Sequence, residues 1–171
     1  AAYEMTQHLI QQGHKRIGFI RGHVGHSAST WRYDGYARAL SEAGLEIHSA
    51  MLEQGDFSFD SGASAARNLL KLSALERPTA IFASNHDMAA GAISVAGLMS
   101  IDVLGELSVC GFDDTPLAQV VWPPLTTVKQ PIYQMGYEAA RQLVAPPDQR
   151  GASQQILDFE IMVRASTASP A

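Results

Sequence analysis

The feature that most constrains the fold is a short apolar run that ends abruptly on two carboxylates. Residues 107–112 read LSVCGF, and Asp113 and Asp114 follow at once. An apolar run of that length, bounded by turn-forming residues, is the pattern of a fully buried strand. Pro123 and Pro124 then break the chain before a second β-favouring run at 125–128, and Gln130-Pro131 opens a helical pattern. The acidic pair thus falls just past a strand's carboxyl end. Open α/β sheets bind their ligands at such ends.

The remaining elements alternate in the same sense. Ala2, Met5 and Leu9 share a helical face that Gly13 is placed to end. Residues 16–21 (RIGFIR) read as a strand. A Gly- and Ser-containing loop at 22–29 follows, then a helix over 30–43 ended by Gly44. Residues 50–54 are a weak strand and 59–72 a helix with Ser58 as N-cap; 79–83 is a strand and 87–99 a helix. Strands alternating with helices of this length predict an α/β fold, a three-layer parallel sheet flanked by helices with right-handed crossovers. A helix over 131–144 has Pro at its first position and Ile132, Met135, Ala139 and Leu143 on one side. Residues 145–153 (APPDQRGAS) read as a turn or linker. Residues 156–163 alternate as an edge strand would, with Leu157, Phe159, Ile161 and Val163 on one face.

Composition narrows the function. With 46% hydrophobic and 17% charged residues, the 171-residue chain is globular and about one domain. A net charge of −5 leaves no basic footprint for nucleic acid. The single cysteine, Cys110, lies in an apolar run and reads as a buried structural thiol. There is no long apolar run to cross a membrane and no signal-peptide pattern. Enzyme motifs are missing: no Gly-x-Ser-x-Gly elbow, no phosphate loop and no Cys/His metal cluster. His23 and His26 have no Cys or carboxylate partner spaced to complete a metal site, and His86-Asp87 are adjacent and would not face each other on a helix. Neither a cofactor, a metal nor a catalytic residue is expected.

The positions just beyond the strands' carboxyl ends point to a ligand. After the first strand come His23, His26 and Arg32; after the second, Asp56 and Phe57; after the third, Ser84 and Asn85; after the fourth, Asp113. Each alone has a bland reading: a solvated Arg32, Phe57 in the core or a hydrophobic staple, Asn85 as a helix cap, Asp113 as a turn former. Together they place a guanidinium, an aromatic ring, an amide and a carboxylate on one sheet edge. That set suits a neutral polyhydroxylated ligand, with polar groups for hydroxyls and a ring face for a sugar's apolar side.

Several segments carry a resemblance. GHKRIGFIRG at 13–22, RYDGYARAL at 32–40, GDFSFDSG at 55–62, PTAIFASNHDMAAGA at 78–92, the stretch 107–131 and MVRAST at 162–167 resemble the lactose/galactose repressor (LacI/GalR) family, over nearly the whole chain. The resemblance implies the effector-binding core of a transcriptional regulator, one lobe of a periplasmic-binding-protein-like type I fold. It implies effector contacts at His26, Ala28, Arg32, Phe57, Asn85, Asp113 and Gln130, with a sugar or short oligosaccharide ahead of a nucleobase. Residues 1–126 are expected to form the second lobe, 127–145 a strand and helix belonging to the first lobe, and 146–171 a linker and returning edge strand of the second. The DNA-binding headpiece, which would contact operator DNA, is expected to lie outside these residues. The resemblance implies a cytoplasmic location. This sequence departs from the family pattern in having His86 after the Asn, and His26 and Ala28 in the first loop. A periplasmic sugar-binding protein of a transport system is the alternative reading.

One helix adds an association prediction. Residues 88–99 (MAAGAISVAGLM) carry no charge, so the helix must be covered on all sides. Ala89, Ala92, Ala96 and Gly97 would let a second helix approach closely. The alternative is a central helix buried within one chain; the preferred reading is a homodimer through helices near 59–72 and 87–99, which agrees with how the resembled family associates.

Overall fold

The structure, a computed structural model, describes residues 1–146 and 155–170. Six strands form one sheet: β1 (Ile17–Arg21), β2 (Leu52–Gln54), β3 (Ala80–Ala83), β4 (Ser108–Phe112), β5 (Thr126–Lys129) and β6 (Glu160–Met162). Their spatial order is β2-β1-β3-β4-β5-β6. All neighbours are parallel except β5 and β6, which run antiparallel. The described residues also form helices α1 (Ala2–Gln11), α2 (Ser27–Glu42), α3 (Phe59–Leu70), α4 (His86–Leu98), α5 (Pro116–Val120) and α6 (Ile132–Val144), with a short 3-10 turn at Ser49–Met51. The three-layer α/β expectation holds.

The strand side chains sort into two cores by alternation. Ile20, Ile81, Ala83 and Val109 join α3 and α4 on one face. Ile17, Phe19, Ala80, Phe82, Cys110 and Phe112 join α1 and α2 on the other. Because both faces are covered, the strands read as continuous apolar runs. Phe19 anchors the second core, stacked on Tyr36 at 4.7 Å and edge-on to Phe82 at 5.3 Å. Burial raises the Cys110 thiol well above its usual range, as expected of an inert structural cysteine.

Helix ends follow local chemistry. Gly13 (φ 101°) and Gly44 (φ 68°) take the left-handed conformation after α1 and α2. The Ser58 hydroxyl accepts the Ser61 N–H at 3.2 Å as the cap of α3. The short α5 was not foreseen, because five residues are too few for a periodic signal.

Three expectations change. The strand at residues 127 onward, assigned to another lobe, is part of this sheet: Thr127 aligns with Gly111 on one side and Met162 on the other. Strand membership is decided by pairing, which local composition does not encode. The edge strand expected over 156–163 pairs only over Glu160–Met162, and residues 147–153 of the expected linker lie outside the described residues. The third change concerns α4. Its apolar character is explained mainly within one chain: Ala89, Ala92, Val95 and Ala96 are buried in the first core. Gly62 and Gly91 create the close approach of α3 to α4. A Cβ on Gly62 would lie 2.3 Å from Met88 Cα, and one on Gly91 2.4 Å from the Phe59 carbonyl. Charged substitutions at Ala92 or Val95 would therefore report on folding, not on association. Ser94, Gly97 and Leu98 remain exposed.

At the opposite end of the sheet from the acidic pair, His14 is buried and ties three segments together. Its Nδ1 bonds Thr79 Oγ1 at 2.9 Å, and its Nε2 lies 3.1 Å from Ser108 Oγ and 2.9 Å from the Ala168 carbonyl. Desolvation lowers its pKa, opposed by the Ala168 carbonyl. His8, beside Thr167, is lowered by the same cause. A histidine whose folded pKa is depressed binds a proton more readily when unfolded. Its stabilising contribution is full above the unfolded value of about 6.5 and falls as pH drops below it. Urea unfolding should therefore show less stability at pH 5.5 than at pH 7.5, with a shallower decline in His14→Gln. An unchanged slope in that variant would remove His14 from the account.

Candidate functional site

The carboxyl ends of the parallel strands open to one edge, and Arg32 organises it. Arg32 lies in the second turn of α2, its side chain only 13% exposed. The guanidinium stacks on Phe112, the last residue of β4, at 3.8 Å. It donates to the carbonyl of Ser84, just past β3, and faces Asp113 Oδ1 at 3.4 Å. Desolvation lowers the pKa of Arg32 and the Asp113 carboxylate opposes the shift; a guanidinium stays cationic at any working pH. Gln130, just past β5, donates its amide to the same Asp113 oxygen. Two sequence-distant side chains thus converge on one carboxylate that is 28% exposed.

A second group extends from this centre. The Phe57 ring lies 5.9 Å from the Arg32 guanidinium and 5.7 Å from the His26 ring, which in turn is 5.1 Å from His23. Phe57 adopts φ 76°, rare for a side chain this large. Two neighbours hold it there. Asn85 donates its amide to the Phe57 carbonyl at 2.8 Å. Gly22 leaves the room the ring occupies, since a Cβ there would fall 2.0 Å from a ring atom. Asn85 also caps α4, accepting the Met88 N–H at 2.9 Å, so the bland reading of Asn85 is true as well. Asp56 is held down to about 2 by hydrogen bonds from Ser58, which makes it an anionic turn former beside Phe57.

Of the seven expected residues, Arg32, Asp113, Gln130, Phe57, Asn85 and His26 form one linked cluster. Ala28 sits half-buried in the first turn of α2 and offers no polar group. Sequence reasoning missed Ser84 as a carbonyl acceptor, Phe112 as the surface under Arg32, and Gly22. The apolar run did hold Phe112, but nothing local distinguished it from a core residue. It also missed Arg164, 2.7 Å from Asp114 Oδ1. A groove of about 510 Å³ adjoins the cluster, lined by Phe112, Gln130, Pro131, Met135, Ala139 and Phe159 among others. Among the described residues, no group of three His, Cys, Asp or Glu side chains could hold a metal, and no helix is long and apolar enough to cross a membrane.

A mostly parallel α/β sheet flanked by helices, with a guanidinium–carboxylate–amide cluster at its carboxyl edge, is the architecture of a periplasmic-binding-protein-like lobe. Comparison agrees: the family model of the periplasmic binding protein-like domain matches residues 6–167. The chain is 37% identical over 169 residues to the HTH-type transcriptional repressor CytR of Escherichia coli (strain K12), covering 98% of this chain and 49% of the relative. It is 42% identical over 170 residues to the HTH-type transcriptional regulator DegA of Bacillus subtilis (strain 168), covering 97% and 49%. It superposes on the transcriptional regulator CelR in complex with cellobiose at TM-score 0.87 and 36% identity, covering 97% of this chain and 51% of that one. The chain belongs to the LacI/GalR family of transcriptional regulators and spans about half the length of the curated relatives it matches.

Asn85 has two structural duties, so its loss should be felt before any ligand is added. Asn85→Ala should cost about 1–2 kcal/mol, the scale of a lost N-cap, measured by chemical denaturation. A smaller loss in Asn85→Asp, which keeps the cap but not the donor to Phe57, would separate the two duties.

Proposed function

We propose that this chain is the effector-sensing and dimerisation part of a LacI-type regulator, binding a small sugar-like ligand that modulates operator binding. The observation that carries this reading is the convergence of Arg32 and Gln130 on Asp113. A carboxylate aligned by two donors accepts hydroxyl hydrogens from a neutral polyol, while Arg32 and Gln130 can donate to its oxygens. Phe57 and the His26 ring supply flat faces for the apolar side of a sugar. Operator DNA is contacted by a headpiece outside this chain, and the regulator works in the cytoplasm. The relatives named above are regulators, and no catalytic step is proposed.

The first lobe is expected to cover the groove beside the cluster. None of the residues of α6 is buried. Ile132, Met135 and Leu143 present an exposed stripe, each forgoing roughly 1.5–3 kcal/mol that burial would return. In the intact regulator α6 packs into that lobe, and the ligand lies between the two.

Dimerisation uses a narrower surface than a whole helix. Leu98 at the end of α4, Val120 at the end of α5 and Trp122 just beyond it are large apolar side chains left open, at 77%, 76% and 84% exposure. A two-fold partner covering them, with the exposed face of α3, fits an isologous interface.

Two measurements test the reading in the intact protein. Arg32→Ala should weaken sugar binding by about 1.5–3 kcal/mol, read by calorimetry against a panel of mono- and disaccharides. Unaltered affinity would overturn the assignment. Leu98→Glu with Trp122→Glu should shift the protein to monomer in sedimentation while the fold persists; a dimer of unchanged strength would place the interface elsewhere.

A further inference from the structure

Asp113 and Asp114 are adjacent carboxylates with opposite surroundings. Asp113 takes φ 70°, a left-handed backbone that is uncommon in a residue with a side chain. Such a conformation persists only where its neighbours over-determine it. On one side stand the contacts already described, Arg32 and Gln130 on the carboxylate. On the other, the Thr115 N–H donates to the Asp113 carbonyl at 2.8 Å, and the Asp114 side chain turns away into the protein, 6% exposed.

Asp114 meets Arg164 there. The guanidinium, 17% exposed, lies 2.7 Å from Asp114 Oδ1 as an ion pair, and the same Nη1 donates to the Leu125 carbonyl at 2.8 Å. The pair's alignment is that of charges in contact, not of a hydrogen bond, since Asp114 Oδ1 has no hydrogen-bond partner of its own. Arg164 is itself immobilised. Its N–H donates to Thr126 Oγ1 at 2.9 Å, and that hydroxyl donates to the Arg164 carbonyl at 3.2 Å. Two residues on, Ser166 Oγ accepts the Thr126 N–H at 2.8 Å and donates to the Val109 carbonyl at 2.6 Å. The cation is thus fixed to the start of β5 and to β4, the strand that carries the acidic pair.

We propose that Asp114 and Arg164 are positioning residues for Asp113: their buried ion pair holds the backbone reversal that presents the Asp113 carboxylate to the ligand. This rests on the effector reading above. Each carboxylate has its own guanidinium, which keeps two adjacent negative charges apart and aimed in different directions. A buried pair that loses one partner leaves a charge that cannot stay buried. Without Arg164, the Asp114 side chain must leave its place, and the Asp113 turn moves with it.

The test is a double-mutant cycle in the intact protein. Arg164→Gln should weaken binding of whichever of D-glucose, D-galactose or cellobiose the wild type binds by about tenfold, a loss that should disappear when Asp113 is already Asn. Arg164→Lys, which keeps the charge, should restore most of the affinity. No loss, or the same loss in the Asp113→Asn background, would overturn the proposal, since a merely structural pair would act without regard to Asp113. Hydrogen exchange supplies a readout that needs no ligand. Protection of the Thr115 amide should fall by about tenfold in Arg164→Gln while the β3 amides keep theirs. An unchanged Thr115, or a fall matched across β3, would overturn the positioning role. If Arg164→Gln does not fold, the Asp114→Asn variant enters the same cycle and the same exchange experiment with the same expectations. Failure of all three sugars to bind the wild type would count against the effector reading alone, and the exchange result would still decide the positioning role.

Discussion

A buried guanidinium is the constraint on which the carboxyl edge of the sheet depends. Arg32 leaves the water for a place against Phe112, so it requires compensation from every side. The ring face, the Ser84 carbonyl and the Asp113 carboxylate provide it. Those three groups come from the ends of β3 and β4, so the cation also fixes α2 against the sheet's carboxyl edge. Asp113 is held in a backbone conformation it would not choose, and Gln130 follows because it shares that carboxylate. The site is a set of mutual obligations among groups that are each costly alone.

The two ends of the sheet are built differently for physical reasons. At the amino end, His14 joins Thr79, Ser108 and Ala168 in a closed, buried network that leaves little for a ligand. At the carboxyl end, Phe57 and Asp113 both carry positive φ, and polar groups remain partly open. Strain and incomplete coverage at one edge are supported by close packing elsewhere. The glycines at 62 and 91 that let α3 lie directly on α4 contribute to that rigidity.

Much of this was legible residue by residue. Among the described residues, the alternation of apolar runs and helical patterns marked the six strands and five of the six α-helices. Ser58, Gly13 and Gly44 announced helix ends because capping is local chemistry. The cluster was legible because the residues that gather at the carboxyl edge of a parallel sheet sit at predictable offsets past strand ends. The role of the Ser84 carbonyl and the room left by Gly22 were missed because a backbone carbonyl, or a missing side chain, leaves no mark in residue type. Arg164, just past β6, was missed because its partner Asp114 lies fifty positions away, just past β4.

By itself, the sequence determined the period of each segment, the caps, and the chemical types waiting beyond each strand, since these depend on neighbours within a few residues. Tertiary structure alone decided which strands pair. It put β5 inside this sheet between β4 and β6, and it buried the small-residue face of α4 under α3 within one chain. It also left α6 without a core to join. The physical reason is the same in each case: pairing and burial are relations between distant segments. An apolar helix carries the demand to be covered, but not the identity of what covers it.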